Sequence, residues 1–165
     1  MLQMDVNRLK RAPGDSASFR LSEEIPPLDH QGEKISFAGP VKASLTVANN
    51  GKMLRVEGTV SGELRLTCGR CLEPFSFPFD LPLEESYVNT DEGATEDTVA
   101  FTGDLLDVTP EVYKNIIMAL PMKALCGEDC PGLCPGCGRR LDRGTCDCAG
   151  EEIDPRLSAL KKLLN

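Results

Sequence analysis

Tryptophan is absent from this 165-residue sequence, aromatic residues make up only 5%, and His30 is the single histidine. So few aromatics leave little on which nucleic-acid bases could stack. One histidine leaves a catalytic zinc site short of its usual ligands. His30 lies far from the cysteines in an apparent loop and reads as exposed and uninvolved. No Ser-His-Asp set, phosphate-binding glycine loop or base-activated nucleophile stands out. No apolar run approaches the roughly 20 residues of a membrane helix. The N-terminal MLQMDVNRLKRAPGDS lacks the apolar stretch of a secretory signal. The expectation is a cytoplasmic protein with no membrane partner and no small-molecule substrate. Basic residues are in deficit too: 18 Lys and Arg against 26 Asp and Glu leave a net charge of -8. Such a chain repels a phosphate backbone as a whole, so nucleic-acid contact needs a local basic patch or a protein intermediary.

What the sequence does have is eight cysteines. In a reducing cytosol these point to metal or redox chemistry rather than to structural disulfides. Cys68 and Cys71 stand in TCGRC. Cys126, Cys130, Cys134, Cys137, Cys146 and Cys148 crowd into CGEDCPGLCPGCGRRLDRGTCDC. TCGRC and LCPGC share the form of a zinc knuckle, in which two cysteines sit two residues apart in a glycine-containing turn. Backbone N–H groups there face the first sulfur while both thiolates reach one ion. Eight cysteines suffice for two Zn2+ ions with four cysteines each, and eight thiolates around two such ions take the net charge to about -12. Two partitions are open. One joins Cys134, Cys137, Cys146 and Cys148, leaving Cys68 and Cys71 with Cys126 and Cys130. The other pairs the two CxxC knuckles as in a zinc ribbon. Loop closure favours the first, because its downstream group closes only a short loop.

Val41, Ala43, Leu45 and Val47 alternate with Lys42, Ser44 and Thr46, which predicts a strand over 41–49. NNGK at 49–52 signals a hairpin turn. A second, longer strand carries Leu54, Val56, Val60, Leu64 and Leu66 on one face. Gly58 and Gly62 share that face, predicting a bend, a bulge or a close backbone approach. A third strand has Phe75, Phe77, Phe79, Leu81 and Leu83 on the same face, with Pro74, Pro78 and Pro82 opposite, so it is read as an edge or irregular strand. Thr109-Pro110-Glu111 starts a helix with Thr109 as N-cap, carrying Tyr113, Ile116, Ile117 and Leu120 and stopped by Pro121. Ile153, Leu157, Leu160 and Leu164 form the stripe of a terminal helix. A helical turn is read near Asp5 to Arg11, and the acidic stretch 90–98 is read as a solvated loop. The expected fold is α+β: an antiparallel β-meander with a helix packed on one face and a small C-terminal zinc-knuckle lobe plus terminal helix. Residues 1–125 form the core domain and 126–165 the Cys-rich lobe.

TCGRCLEPF, then ALPMKALC, CGEDCPGLCPGCGRRLDRGTCDC and the terminal DPRLSALKKLL, resemble the YceD family of large ribosomal RNA subunit accumulation proteins. The likeness runs through effectively the whole chain. It implies a cytosolic bacterial factor, with plastid relatives, needed for normal 23S rRNA levels and hence for ribosome biogenesis. Some members lack the counterpart of Cys134 to Cys148 while keeping the upstream ligands, which favours the first partition. Arg140 and Asp142 replace the Ala or Lys and the Asn of many members.

The function expected is that of a non-enzymatic zinc-binding accessory factor for large ribosomal subunit biogenesis. Its partners would be ribosomal or assembly proteins of the large subunit, with 23S rRNA a secondary contact. Arg70, Arg139, Arg140 and Arg143 flank the knuckles and are the candidate RNA contacts, although solvating the loops and offsetting thiolate charge accounts for them more simply. The competing classes are a thiol-disulfide or zinc-dependent enzyme and a zinc-ribbon adaptor.

Overall fold

The computed structural model describes residues 1–30, 32–89, 98–144, 146 and 148. Nine strands and two α-helices follow in chain order among these residues: β1 (Gln3–Asp5), α1 (Asn7–Lys10), β2 (Ser16–Glu23), β3 (Leu28–His30), β4 (Glu33–Phe37), β5 (Val41–Asn49), β6 (Leu54–Thr67), β7 (Pro74–Asn89), β8 (Val99–Phe101), β9 (Leu105–Asp107) and α2 (Thr109–Ala119). The fold is α+β. β5, β6 and β7 form the expected antiparallel meander, and the alternation that predicted them is the alternation of burial: Val41, Ala43, Leu45 and Val47 are buried while Lys42, Ser44 and Thr46 are exposed. Each fully buried Val or Leu contributes about 1.5–3 kcal/mol.

The meander is the spine of a larger sheet. β2 pairs antiparallel with β5, β4 pairs with β6 beyond the end of β5, β3 pairs with β4, and β8 runs parallel to the end of β7. The β5–β6 turn is closed by its asparagines. The Asn50 side-chain oxygen accepts the N–H groups of Lys52 and Met53, and Gly51 takes φ 93°. Gly58 is a close approach: a Cβ there would lie 2.1 Å from the Ser44 carbonyl oxygen. Gly62 leaves the slot that the Phe79 ring fills, 2.8 Å from where a Cβ would stand.

β7 pairs with β6 along Pro74–Tyr87 and with β8 only at Tyr87–Asn89. Over Pro74–Ser86 it is therefore an edge strand among the described residues, as its prolines predicted, though regular over 16 residues. Its Pro74, Pro78 and Pro82 cannot donate to a ladder, so their backbone faces outward. The Pro82 carbonyl accepts the Asn115 side-chain amide of α2 instead, at 3.4 Å.

α2 covers the apolar face where Val60, Leu81 and Leu83 meet Val112 and Ile116, leaving no internal cavity there. Tyr87 is buried and donates its hydroxyl to Glu111 in the first turn of α2 (3.1 Å). The start of α2 differs from expectation. Thr109 is the first helical residue rather than the cap, because its hydroxyl accepts the Leu2 N–H at 2.8 Å. Asp107 takes over as acceptor for the Thr109 N–H (2.9 Å). The helix ends at Ala119, with Leu120 extended before Pro121, whose ring disfavours helical backbone in the preceding residue. β1 pairs with β9, which places Leu2, Met4 and Val6 in the core, and α1 supplies the predicted N-terminal helical turn. The stripe at Ile153 to Leu164 and the acidic stretch 90–97 lie outside the described residues.

Candidate metal centres

The strands decide where the upstream cysteines sit. β6 and β7 are paired to their ends, Thr67 opposite Pro74, so TCGRC is a tight loop at the tip of a long hairpin. The Cys68 N–H donates to the Glu73 carbonyl (2.9 Å) and the Leu72 N–H returns to the Cys68 carbonyl (2.9 Å). This closure puts the Arg70 N–H 3.5 Å from the Cys68 sulfur. The chain leaving α2 is then drawn alongside, the Gly69 N–H donating to the Ala124 carbonyl at 2.8 Å. The Arg70 guanidinium reaches across to the carbonyls of Glu128 (3.0 Å) and Cys130 (2.9 Å). Cys126 and Cys130 thereby face Cys71 and Cys68, with sulfur separations of 3.7 and 3.9 Å.

These spacings have a chemical meaning. Four sulfurs about 2.3 Å from one ion form a tetrahedron with edges of about 3.8 Å. A disulfide would need about 2.05 Å. All four sulfurs lie within 4.8 Å of one another, and all eight cysteines are free.

Cys134, Cys137, Cys146 and Cys148 make a second group of the same tightness. Its knuckle repeats the first bond for bond. The Cys134 N–H donates to the Arg139 carbonyl and the Gly138 N–H to the Cys134 carbonyl, both at 2.8 Å. Gly138 takes φ 70°, and the corresponding position in the first knuckle is Leu72 at φ 59°. The rest of this group is supported by a three-residue 3-10 turn, Leu141–Arg143, and by the pairing of Leu133 with Arg140. Gly136 keeps clear of Cys148, whose Cβ and sulfur lie 3.4 and 3.5 Å from where a Gly136 Cβ would stand.

Each group has one thiol set to ionise first. The Cys71 N–H, followed by that of Cys126, draws Cys68 down to about 6, and the Cys137 N–H does the same for Cys134, also to about 6. Donating its S–H to the Cys130 sulfur pushes Cys126 up to about 12, and donating to the Cys137 sulfur pushes Cys148 up to about 12. Four crowded sulfurs cannot all carry charge unaided, whereas a bound divalent cation inverts that balance and deprotonates them together. The donor set, all sulfur and tetrahedrally spaced, fits a thiophilic ion such as zinc.

Of the candidate RNA-contact arginines, two are engaged within the chain, Arg70 while still exposed and Arg140 half-buried. Arg70 is spent on the two carbonyls above. Arg140, with its side chain 20% exposed, pairs with Glu73 at 2.8 Å and with Asp142. Arg139 and Arg143 are exposed. The clamp by Arg70 and the link from Arg140 to Glu73 were not legible in the sequence, since both depend on how two distant knuckles stack. His30 ends β3, half-exposed, and belongs to neither sulfur group.

Over residues 56–164 the chain matches the family described as large ribosomal RNA subunit accumulation protein YceD. The chain belongs to this family. Both sulfur groups fall inside the segment matched to YceD. Among similar proteins, the uncharacterized protein YlbN of Bacillus subtilis is 28% identical over 166 residues, spanning 99% of this chain and 96% of YlbN. An uncharacterized protein of Mycobacterium tuberculosis is 32% identical over 178 residues, 99% of this chain and 81% of its own length. A chloroplastic large ribosomal RNA subunit accumulation protein YCED homolog 1 of Arabidopsis thaliana is 27% identical over 155 residues, 75% of this chain and 48% of its own. No solved structure matches the chain. Among the described residues no helix is long and apolar enough to cross a membrane.

Proposed function

We propose that this YceD-family protein is a cytoplasmic, non-enzymatic factor for accumulation of large-subunit ribosomal RNA, built on two structural zinc ions. Cys68, Cys71, Cys126 and Cys130 hold one ion; Cys134, Cys137, Cys146 and Cys148 hold the other. The observation that carries the reading is that the eight cysteines gather into two all-sulfur groups of four. Such shells are closed, whereas catalytic zinc keeps a position for water or substrate. Cys68 and Cys71 also lie between two strands, not at the strand-to-helix junction of a thioredoxin-like dithiol.

On this reading the ions stiffen a binding platform. The upstream ion ties the β6–β7 hairpin tip to the segment leaving α2, and the downstream ion shapes the Cys-rich lobe of residues 126–165 against the core of 1–125. The charge of -8 selects the partner. It favours a basic ribosomal or assembly protein of the large subunit, with 23S rRNA a secondary contact through the exposed Arg139 and Arg143.

Metal analysis of reduced protein tests the zinc: two ions per chain and no reactive thiols are expected. Three protein ligands plus a water at either ion would instead revive a hydrolase. Binding assays test the partner, and the expectation is affinity for early-assembling basic proteins. Tight, salt-sensitive binding to naked 23S fragments with no affinity for those proteins would refute it.

A further inference from the structure

We infer that the two ions are taken up in a fixed order, upstream first, and that the outer lobe is a metal-dependent clasp latched by Arg140 on Glu73. This rests on the zinc reading of the two sulfur groups and adds how they depend on each other.

The groups differ in what positions their sulfurs before any ion arrives. Cys68 and Cys71 close a hairpin whose strands pair residue by residue from Leu54–Tyr87 to Thr67–Pro74, and they are 0% and 4% exposed. Cys126 and Cys130 are held to that hairpin by the Gly69–Ala124 hydrogen bond and by both contacts of the Arg70 guanidinium. Little ordering is left for the ion to drive, and a preorganised site binds more tightly because that cost is already met. In the downstream group only Cys134 is buried, and between Gly138 and Cys146 the regular structure among the described residues is the turn Leu141–Arg143 and the single pairing of Arg140 with Leu133.

The downstream lobe lands on the upstream knuckle at two points. Gly132, at φ 78°, lies flush on the Arg70 backbone, its Cβ position 3.1 Å from the Arg70 carbonyl oxygen. Arg140 reaches Glu73 at 2.8 Å. Arg140 is held for that reach by the second knuckle, through the Leu133 pairing and the bond from Leu141 N–H to the Gly132 carbonyl (3.1 Å). The ion that folds the second knuckle therefore aims Arg140, and the ion that folds the first fixes Glu73 and Arg70 as its landing. Coupling of this kind is reciprocal in binding free energy. The order of filling then follows from the difference in preorganisation, and the latch makes the second ion tight once the first is in place. When metal is scarce the outer ion leaves first and the lobe lets go of the hairpin tip.

The test is a stepwise cadmium titration of the full-length, reduced, metal-free protein, followed by thiolate-to-metal absorption and cadmium NMR, with zinc affinities from chelator competition. The first equivalent should produce one signal, the one retained by Cys137→Ser, and the second signal should grow only afterwards. Arg140→Gln and Glu73→Gln should each weaken the second ion by about tenfold, the scale of an outer-shell partner. They should leave the first binding step unchanged, and the double variant should be no worse than either single one. Both variants leave all eight sulfurs in place, so their outcome does not hinge on a folding defect from a lost ligand. Two signals rising together, the downstream signal appearing first, or Arg140→Gln leaving the second affinity intact would overturn the ordered clasp while leaving zinc binding standing. Failure of the wild-type chain to take up any ion would overturn the zinc reading itself.

Discussion

TCGRCLE and LCPGCGR fold into knuckles with the same two backbone closures and the same left-handed residue at the fifth position from the first cysteine, yet one ends a long hairpin and the other stands beyond α2 with little regular structure around it. The local chain is thus nearly indifferent to its surroundings, and the environment decides what each knuckle is worth. On the proposed zinc reading, the sheet holds the first set of sulfurs and an ion there would lock a structure largely in place. In the second, an ion would make most of the local order. The fifth position shows the contrast in one side chain: Gly138 adopts φ 70° freely, while Leu72 is held at φ 59° although 65% exposed. A leucine endures that backbone only where its surroundings over-determine it.

The sharpest way to break this comparison is to remove one cysteine from each group. Cys68→Ser should loosen the hairpin tip and the exit from α2 together, lowering the melting temperature by about 10 °C or more, whereas Cys148→Ser should cost about 2 °C. Calorimetry on both variants checks this, and equal losses would mean that the two knuckles carry equal weight. Next in size is Gly132→Ala. The added methyl meets the Arg70 backbone at a φ of 78°, so it should destabilise by about 1–2 kcal/mol. Faster amide exchange at Cys134 and Leu141, with β5 and β6 unchanged, would show that the damage stays in the lobe. The smallest effects come from exchanging the fifth residues. Gly138→Leu should cost about 1 kcal/mol, and Leu72→Gly should gain about 0.5 kcal/mol, the relief of strain being partly offset by the flexibility of an unfolded glycine. Denaturant midpoints of the two variants moving in opposite directions would confirm that only the upstream knuckle stores strain.

Much of this was readable in the residues. The meander followed from the alternation of three successive strands, and the close approach read from the glycines of β6 proves to be Gly58 against the Ser44 backbone, with Gly62 a seat for Phe79. The prolines marked β7 as an edge. Loop closure chose the grouping of cysteines found in the structure. What escaped depends on distant partners. β2 carries Ala17, Phe19 and Leu21 in alternation with Ser18 and Arg20, but three apolar positions, one of them only alanine, left the signal faint. Thr109 looked like a helix cap because nothing local shows that Leu2 will claim its hydroxyl. The contacts of Arg70, and of Arg140 with Glu73, were hidden because those acceptors lie 58 or more residues away in one case and across the two knuckles in the other.

The prolines of β7 also bear on self-association. An open sheet recruits further strands only where amide hydrogens point outward, and along Pro74 to Ser86 the imide rings at Pro74, Pro78 and Pro82 both remove donors and fend off an incoming chain. Among the described residues, β2 at the other margin has no such guard. Edge-to-edge stacking through these two margins would join one pair of molecules and then stop, because a growing fibril requires every subunit to offer two receptive borders.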